Sequence, residues 1–484
     1  MARGKKAAQG LTPEEKLAQA LVPVEEQPYQ IPENWCWTRL FGVIVSSDEK
    51  TEDFSNLELK YVGLENLEKD GGIIGYGSPE GIKSLKNVFH SGQILYGKLR
   101  PYLNKHDIAT FDGICSTDIL VFSTREPVLP QIVNYYFNQS KFIEYAVGNS
   151  KGINLPRVSE NVILNAVFPL PPFVEQQRIV DRIESIFAKL DEAKEKAQAV
   201  VDGFEVRKAA ILYKAFSGEL TKQWRKEHNS HRNVLLEEAE RASEDWSKKE
   251  KNLLEIEQKK SEMVTLENGH EWIHCTIGAF CRITNGSTPS RQSPEYWSGN
   301  IPWISSGEVR NNIICTSNEC ISEEGYNNSS VKLLPAGTVL IAMIGEGKTR
   351  GQSAILDIDA TINQNIAAIM TDYGYILPRY IWYWLQMNYA KNRERGSGSG
   401  PQALNCQRVR ELDFFVPNKE EQSEIVSILN SLIKKEQQAK EVAESVLDQI
   451  DTMKKAVLAR AFCGDLGTND PAEESAVELL KTML

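Results

Sequence analysis

Two stretches of the chain place apolar residues at alternating spacings of four and three positions. This is the pattern of an amphipathic helix that packs along a second helix. The first stretch lies within residues 168–222 and the second within residues 414–466. Each pattern predicts a helix of about 44 residues, roughly 66 Å long at 1.5 Å per residue. The apolar positions assigned to the seam between the helices are Ile179, Ile183, Ile186, Leu190, Phe204, Ile425, Leu429, Leu432, Ile450 and Val457.

The two stretches are copies of one sequence. A shift of 246 positions aligns residues 168–220 with residues 414–466 without a gap, and 21 of the 53 aligned pairs are identical. Both copies end near a glycine, Gly218 or Gly464, which predicts the left-handed residue that closes many helices. The duplication predicts a pseudo-twofold axis that relates the two helices and packs them as an antiparallel coiled coil.

Each predicted helix follows a segment of different character. Residues 31–167 and residues 270–413 contain short β-branched and aromatic runs separated by glycines, which predicts mixed α and β structure. The predicted fold class is therefore α+β, with two mixed α/β domains joined by the two long helices. The remaining segments are an N-terminal extension at residues 1–30, a charged helical insert or linker at residues 223–269 and an acidic tail at residues 467–484.

Basic residues cluster in polar segments of both mixed domains. Residues 82–106 contain five Lys or Arg residues and no acidic residue, and residues 379–410 contain six against Glu394 alone. Such cations neutralise phosphates or pair with guanine, and amides pair with adenine in the major groove. Each residue taken singly is better explained as a solvated loop residue, but their occurrence in both domains favours DNA binding. The candidate DNA-binding residues are Lys83, Lys86, Lys98, Arg100, Lys105, Lys151, Arg157, Lys348, Arg350, Gln352, Arg393, Arg395 and Arg408.

The negative net charge by itself argues against DNA binding, but the segments that carry it account for that charge. The chain of 484 residues has a formal net charge of −11, which is not typical of proteins that coat nucleic acid. Residues 11–36, 228–268 and 465–484 together carry the whole −11, so the rest of the chain is close to neutral. The segment at residues 228–268 is rich in Glu and Lys, which favours an exposed spacer over a partner-binding surface.

Motifs for catalysis, cofactor binding and membrane insertion are incomplete. Residues 342–349 resemble a phosphate-binding loop, but Ala342 replaces its first glycine and strand-like residues follow. Residues 170–173, Leu-Pro-Pro-Phe, begin with Leu where amine methyltransferases have Asn, Asp or Ser. The eight cysteines form no CxxC pair and the six histidines no ligand cluster. We therefore expect neither an active site nor a metal site.

The chain also lacks the run of roughly 18 apolar residues that a membrane helix needs, which predicts a cytoplasmic protein.

The order of mixed domain, helix, mixed domain, helix resembles the specificity subunits of type I restriction–modification systems, which defend cells against foreign DNA. The resemblance covers nearly the whole chain, apart from residues 228–268 and the residues before Gln30. The motifs that carry it are Pro-Pro-x-x-Glu-Gln-x-x-Ile-Val at residues 171–180 with its counterpart at residues 417–426, Ala-Phe-Ser-Gly-Glu-Leu at residues 215–220, Ala-Phe-Cys-Gly-Asp-Leu at residues 461–466, and Asn34-Trp35.

The resemblance implies a subunit without catalytic activity. Its two target-recognition domains would each read one half of a bipartite DNA sequence in the major groove, and the paired helices would fix the length of the unread spacer. The implied partners are double-stranded DNA, two methyltransferase subunits and restriction subunits. S-adenosylmethionine, ATP and Mg²⁺ would be bound by those partner subunits and not by this chain. The alternatives from other classes are a nucleotide-dependent DNA-modifying enzyme and a coiled-coil scaffold without a DNA function.

Overall fold

The contacts of the chain divide it into two compact units. The computed structural model describes residues 12–53, 59–228, 232–242, 256, 259–266, 270–345, 347–371, 373–394 and 403–484. Unit 1 comprises the residues up to Ala199 together with Ala443–Leu484, and unit 2 comprises Val200–Val442. Within the described ranges, no helix combines the length and the apolar character that crossing a membrane requires. In the same ranges, no three His, Cys, Asp or Glu residues are grouped as metal ligands would be.

The first mixed domain consists of short strands and helices that begin with α1 and end with β10. In chain order they are α1 (Pro13–Ala20), β1 (Cys36–Arg39), β2 (Ile44–Ser46), β3 (Lys50–Thr51), β4 (Lys60–Val62), β5 (Lys86–Phe89), β6 (Ile94–Gly97), β7 (His106–Ile108), β8 (Gly113–Cys115), β9 (Ile119–Thr124), α2 (Pro130–Tyr136), α3 (Ser140–Gly148), α4 (Glu160–Asn165) and β10 (Val167–Leu170). Strands β2, β9, β6 and β7 form an antiparallel sheet in that order. Strands β3, β5, β8 and β4 form a second, mixed sheet, and β1 pairs with β10.

Strand β6, inside its sheet, shows why the sequence of this domain contains continuous apolar runs. All four of its residues are buried. Ile94 and Tyr96 face the core that contains Phe137, which follows α2, whereas Leu95 faces the core that contains Phe89 on β5 of the mixed sheet. A strand buried on both faces carries apolar residues at every position rather than at alternate ones.

The first long helical segment is two helices and not the single helix of about 44 residues that its periodicity predicts. Helix α5 spans Phe173–Asp202 and helix α6 spans Phe204–Phe216, with Gly203 between them. Glycine is the least favourable residue after proline in a helix interior. A guanidinium nitrogen of Arg207 donates a hydrogen bond of 2.8 Å to the carbonyl of Val200 beside the break. The aligned position in the second copy is Gln449, where the helix is continuous.

The second mixed domain and the end of the chain follow α6. In chain order their elements are α7 (Lys222–Glu227), α8 (Leu235–Ala242), β11 (Glu262–Thr265), β12 (Glu271–Thr276), β13 (Arg282–Asn285), β14 (Ile301–Ile304), β15 (Asn312–Ile314), β16 (Glu319–Ile321), α9 (Glu323–Asn327), β17 (Val339–Ala342), β18 (Ser353–Leu356), β19 (Thr361–Ile362), β20 (Ile366–Met370), α10 (Pro378–Met387), α11 (Tyr389–Glu394), α12 (Cys406–Arg410), β21 (Asp413–Val416), α13 (Lys419–Phe462) and α14 (Ala476–Met483).

The main sheet of unit 2 repeats the strand order of unit 1. Strands β13, β20, β17 and β18 are antiparallel neighbours in that order, and β15 adds a parallel edge strand. The strands β2, β9, β6 and β7 have the same relations in unit 1. Strand β6 therefore corresponds to β17. Smaller sheets join β16, β14 and β19, and β11, β12 and β21.

In each unit, two of the long helical segments are in contact. In unit 1, the ammonium of Lys454 on α13 lies 2.5 Å from a carboxylate oxygen of Asp191 and 5.0 Å from the ring centroid of Phe187 on α5. In unit 2, the guanidinium of Arg207 on α6 lies 2.7 Å from a carboxylate oxygen of Glu436 on α13. The ten seam residues assigned from the sequence are all buried or half-buried, but the first two of each stripe pack into the cores of the mixed domains.

The glutamate of the first Glu-Gln pair is a buried acceptor in unit 1. Glu175, near the start of α5, accepts a hydrogen bond of 2.7 Å from the indole of Trp35 on the preceding chain segment. It also accepts bonds of 3.1 Å from the Thr468 hydroxyl and 2.9 Å from the Asn469 amide, both beyond α13. One carboxylate thus joins the start of one long helix to the segment that follows the other.

The second copy places the same arrangement in unit 2, with an added cation. Glu421 on α13 accepts hydrogen bonds of 3.0 Å from the Trp272 indole and 2.7 Å from the Thr221 hydroxyl. The guanidinium of Arg225 lies 2.6 Å from the same carboxylate, and both side chains are almost fully buried. The same guanidinium donates to the carbonyl of Gly218, which adopts the expected left-handed conformation with a φ of +78°.

The glutamine of each Glu-Gln pair binds the backbone at the start of a short helix that is rich in aromatic residues, α2 in unit 1 and α10 in unit 2. The side-chain oxygen of Gln176 accepts a hydrogen bond of 3.1 Å from the N–H of Leu129, which precedes α2. The side-chain oxygen of Gln422 accepts one of 2.9 Å from the N–H of Leu377, which precedes α10. Because the first N–H groups of a helix lack partners within it, these contacts satisfy donors that would otherwise be unpaired.

Two segments expected to be peripheral are packed where the structure describes them. Within residues 228–268, whose composition favoured an exposed spacer, Leu235 and Ala239 on α8 are buried in the core of unit 2, and β11 pairs with β12. These two residues lie four positions apart on one helix face, which accounts for their burial. In the acidic tail, Ala476 and Leu480 on α14 are buried in the core of unit 1.

Candidate nucleic-acid interface

Four of the predicted cations meet in unit 1 at the end of β6. Lys98 follows β6, and its carbonyl accepts a hydrogen bond of 3.0 Å from the N–H of Val158. The N–H of Arg100 donates a bond of 2.7 Å to the carbonyl of Pro156. These bonds attach the segment after β6 to the loop that precedes α4. We call the resulting set the unit 1 basic cluster, and it consists of Lys98, Arg100, Lys151 and Arg157.

The loop of this cluster carries an exposed apolar residue. The N–H groups of Lys151 and Arg157 each donate to the other's carbonyl, at 2.9 and 2.8 Å, which closes the loop at its base. Gly152 has a φ of +104°, and a Cβ at this position would lie 2.9 Å from the carbonyl oxygen of Leu155. Ile153, at the tip, has a relative exposure of 101%. Ile153 was not predicted from the sequence, because a lone apolar residue in a polar loop gives no periodic signal.

Two of the remaining predicted cations in unit 1 are held by the protein itself. The ammonium of Lys86 on β5 is buried and donates a hydrogen bond of 2.6 Å to the Ser84 hydroxyl. The ammonium of Lys105 donates a bond of 2.7 Å to the carbonyl of Leu64. Lys83 is exposed. The burial of Lys86 argues against the direct DNA contact expected from the sequence, since its charge is already solvated by protein oxygens.

Arg157 differs from the rest of the unit 1 basic cluster because it has an acidic neighbour. Two of its guanidinium nitrogens lie 3.3 Å from the two carboxylate oxygens of Asp118, and the Arg157 side chain is 53% exposed. A half-exposed pair of this kind has little net stability. The guanidinium can therefore exchange the carboxylate for a phosphate at small cost.

Unit 2 places cations at the end of β17, the strand that corresponds to β6. Lys348 is exposed, and its carbonyl accepts a hydrogen bond of 2.6 Å from the Tyr389 hydroxyl on α11. A guanidinium nitrogen of Arg393 lies 3.4 Å from the carbonyl of Arg350. These residues surround an open cleft of about 520 Å³. Arg350 is buried, as Lys86 is in unit 1, so we do not expect its side chain to contact DNA directly. We call Lys348 and Arg393, together with the buried Arg350, the unit 2 basic cluster.

The other candidates in unit 2 are less concentrated. Gln352 lies immediately before β18 and is half-buried, and Arg408 lies on α12 and is also half-buried. Arg395 falls outside the described residues.

The segment that resembles a phosphate-binding loop lacks the helix that such a site requires. Residues 347–350 form a turn that leads into the strand β18. Phosphate-binding loops instead end at a helix whose first N–H groups hold the anion. The geometry therefore argues against nucleotide binding here.

A cation–aromatic cluster in unit 2 was also not predicted from the sequence. The guanidinium of Arg291 lies 3.5 Å from the ring centroid of Trp297, and one of its nitrogens lies 2.9 Å from a carboxylate oxygen of Glu319. The guanidinium holds the pKa of that carboxyl below its usual value. Since the carboxylate balances the cation, we assign this cluster to the structure of the domain and not to DNA binding.

Comparison with known proteins supports the family suggested by the repeated motifs. Residues 269–445 match the family model described as the type I restriction modification DNA specificity domain. The resemblance to type I specificity subunits is confirmed. The chain is 34% identical to the EcoDI specificity subunit of Escherichia coli over 203 residues, which are 41% of this chain and 45% of that subunit. It is 28% identical to the EcoR124I/EcoR124II specificity subunit of Escherichia coli over 35% of this chain and 43% of that subunit. The matches thus span less than half of these two relatives.

The fold agrees with that of a solved specificity subunit. The crystal structure of the HsdS subunit from Thermoanaerobacter tengcongensis aligns with 91% of this chain and 100% of its own, with a TM-score of 0.62. The sequence identity of this alignment is 19%, so the likeness establishes the mixed α/β fold alone.

Proposed function

We propose that this chain is the DNA specificity subunit of a type I restriction–modification complex and that each unit reads one half of a bipartite target. The observation that carries this proposal is the position of the two basic clusters, which follow corresponding strands, β6 and β17, in sheets of the same order. A duplicated reading surface in one chain fits a target with two parts. The relatives are specificity subunits, which supports a role in recognition rather than catalysis.

We also propose that the long helices set the unread spacer and dock two methyltransferase subunits. Support comes from α13, which contributes residues to both units, and from the duplication, which provides two versions of each surface. Restriction subunits would complete the assembly in the cytoplasm. S-adenosylmethionine, ATP and Mg²⁺ would then be bound by the partner subunits, which carry out methylation and cleavage.

Replacing two cations of the unit 1 basic cluster tests the reading role. In Lys98→Ala/Arg100→Ala, we expect recognition of the half-site read by unit 1 to weaken, while recognition of the other half-site is unchanged. Two lost phosphate contacts would also reduce the slope of log affinity against log salt by about 2. Methylation by the complex reconstituted with methyltransferase subunits measures the first effect, and DNA binding by the same complex at several salt concentrations measures the second. Lys69→Ala, at an exposed lysine of the same domain, is the matched control. Equal methylation by both variants would remove the cluster from the interface.

The exposed Ile153 gives a second test of the same surface. Apolar side chains contact thymine methyl groups in the major groove, or wedge between base steps. We expect Ile153→Ala to weaken binding to the same half-site by about fivefold, close to the 1 kcal/mol of a small apolar contact, with an unchanged salt slope. Ile74→Ala, at another exposed isoleucine of unit 1, is the control. Affinities that match between the two variants would show that Ile153 does not touch DNA.

A further inference from the structure

We infer that Tyr102 determines specificity in the half-site read by unit 1, through contact of its ring with the methyl group of one thymine. Asn104 and His106 are the positioning residues that hold the turn carrying Tyr102. This contact rests on the proposed reading of a bipartite target, since it assigns one base of one half-site to one side chain. It adds a base-reading group to the cations of the unit 1 basic cluster.

Tyr102 lies on a short 3₁₀ turn, Pro101–Leu103, between β6 and β7. Arg100 of the unit 1 basic cluster directly precedes this turn, and its N–H bond to the carbonyl of Pro156 attaches the turn to the loop before α4. Arg100 is exposed, and Tyr102 has a relative exposure of 49%. DNA that binds the cluster therefore meets an exposed aromatic ring beside the cations.

The backbone on both sides of this turn is left-handed. Arg100 has a φ of +54° and Asn104 a φ of +45°. Asp70, with a φ of +62°, donates its N–H to the carbonyl of Leu103 at 3.2 Å. Three of the four non-glycine residues with positive φ in the described ranges thus meet at one turn. Such backbone is unfavourable for residues with a Cβ, and it persists at functional sites where the surrounding structure enforces it.

A buried network of amides around one imidazole enforces this conformation. Asn104 and His106 are fully buried. The amide nitrogen of Asn104 donates a hydrogen bond of 2.9 Å to the side-chain oxygen of Asn138 and lies 3.3 Å from Nε2 of His106. The other ring nitrogen, Nδ1, lies 2.7 Å from the side-chain oxygen of Asn134. Since Nδ1 must carry the proton to donate to that oxygen, Nε2 is the acceptor for the Asn104 amide.

The side chain of Asn104 serves this network at an energetic cost. Burial lowers the pKa of His106, which keeps the imidazole neutral, with one donor and one acceptor for the amides beside it. The side-chain oxygen of Asn104 is buried without a hydrogen-bond partner among the described residues. A glycine at position 104 would avoid both the unpaired oxygen and the backbone strain. The asparagine is therefore explained by its bonds within the network that fixes the turn.

The corresponding turn of unit 2 is built differently. It connects β17 with β18, and the positive φ angles of its described residues fall on glycines, Gly345 at +132° and Gly351 at +84°. Glycine adopts such angles without the penalty of a Cβ. The strained turn and its buried network are therefore features of unit 1 and not of a framework common to both units.

The surroundings of Tyr102 define what its ring contacts. The cations beside it neutralise phosphates, which brings the base edges of the bound DNA towards the turn. In the major groove, the apolar group on the base edges is the 5-methyl group of thymine. A turn that is already fixed loses little conformational freedom when this contact forms. The ring is therefore assigned to one thymine of the half-site.

Removing single thymine methyl groups tests the contact. The target is first identified by sequencing methylated DNA, and the half-site of unit 1 is the one that Lys98→Ala/Arg100→Ala weakens. Each thymine of that half-site, on either strand, is then replaced by deoxyuridine, which lacks the methyl group. Binding is measured with the chain reconstituted with its methyltransferase subunits. We expect one replacement to weaken binding about fourfold, the effect of one small apolar group.

Variants of Tyr102 show whether its ring causes this difference. Tyr102→Ala should abolish the difference between the thymine and deoxyuridine targets, whereas Tyr102→Phe, which keeps the ring, should retain it. Tyr76→Ala, at another exposed tyrosine of unit 1, is the matched control and should also retain it. A difference that survives in Tyr102→Ala, or that is lost in Tyr102→Phe, overturns the ring contact.

The positioning role is tested with Tyr102 in place. Asn104→Gly keeps the left-handed backbone accessible but removes the amide that bonds to His106 and Asn138. We expect this variant to bind the thymine and deoxyuridine targets with affinities within twofold of each other. Should it fail to fold, Asn138→Ala removes one partner of the same amide and replaces it. A loss of stability alone would weaken both targets by the same factor, and an unchanged fourfold ratio would show that the network does not position Tyr102.

The same experiments distinguish failure of the contact from failure of the proposed function. If no bipartite sequence is methylated in the presence of the chain, the proposed function is wrong and the Tyr102 contact falls with it. If such a sequence is methylated but no thymine in the half-site of unit 1 responds to deoxyuridine, the reading role stands and the Tyr102 contact is overturned.

Discussion

Inserting seven residues into both long helical segments, after Ala197 and after Ala443, should lengthen the unread spacer by about three base pairs and leave both half-sites unchanged. Seven helical residues add about 10.5 Å, and B-DNA rises about 3.4 Å per base pair along one strand. The two insertion points are aligned in the repeat and both alanines are buried. A heptad keeps each apolar stripe on nearly the same helix face.

Sequencing of methylated DNA from cells that express each version with its methyltransferase subunits measures the spacer directly. The control carries the insertion only after Ala197. In that version, the apolar stripe of one helical segment is displaced relative to the stripe of the other. We therefore expect most methylation to be lost, and no target with a new spacer to be methylated. A doubly extended chain that keeps the original spacer, or that reads different half-sites, would contradict the role of the helices as a ruler.

Replacing Arg225 with Met should destabilise unit 2 by about 3 to 5 kcal/mol, the cost of leaving one member of a buried ion pair without its partner. Arg225 and Glu421 are 4% and 2% exposed, and their nearest side-chain atoms are 2.6 Å apart. The substitution removes the bonds from Arg225 to Thr221 and Gly218 as well. Methionine fills similar space but leaves the Glu421 carboxylate with neutral donors only.

A more exposed arginine of unit 1 provides the control for this effect. Arg178 makes two hydrogen bonds of 2.7 and 2.8 Å to Glu473, and its side chain is 37% exposed. Exposed pairs contribute about 0 to 1 kcal/mol, so Arg178→Met should have a much smaller effect. Denaturant unfolding followed by tryptophan fluorescence measures both variants. Equal destabilisation by the two would show that burial does not determine the importance of the Arg225–Glu421 pair.

The periodicity of the sequence predicted the second long helix well and the first only in part. Helix α13 spans 44 residues, as its apolar repeat indicates. The break at Gly203 was missed because the apolar pattern continues through it, and the compensating bond from Arg207 to Val200 depends on a side-chain position that periodicity does not contain.

The duplicated Glu-Gln motif was recognised from the sequence, but its role was not. Glu175 and Glu421 bind residues that lie beyond the opposite long helix, about 200 to 290 positions away in the chain. No local pattern relates such distant partners. The same limit explains why the tail was described only as acidic, although Ala476 and Leu480 complete the core of unit 1.

The sequence predicted a set of candidate basic residues, and only the fold shows which of them lie together and which are buried. The sequence placed Lys98, Arg100, Lys151 and Arg157 in two segments about 50 residues apart, and backbone bonds beside β6 bring them together. Lys86 was predicted to bind DNA on the same grounds, because it lies in a basic segment, yet it is buried. Which lysine of a basic segment is buried cannot be read from charge alone.

The most direct test of the central claim is sequencing of methylated DNA from cells that contain the methyltransferase subunits, with and without this chain. We expect one bipartite sequence, two specific parts separated by an unread spacer, to be methylated only when the chain is present. Substitutions in the unit 1 and unit 2 basic clusters should then each relax a different part. Methylation that does not depend on the chain, or that occurs at a single contiguous sequence, would contradict the account.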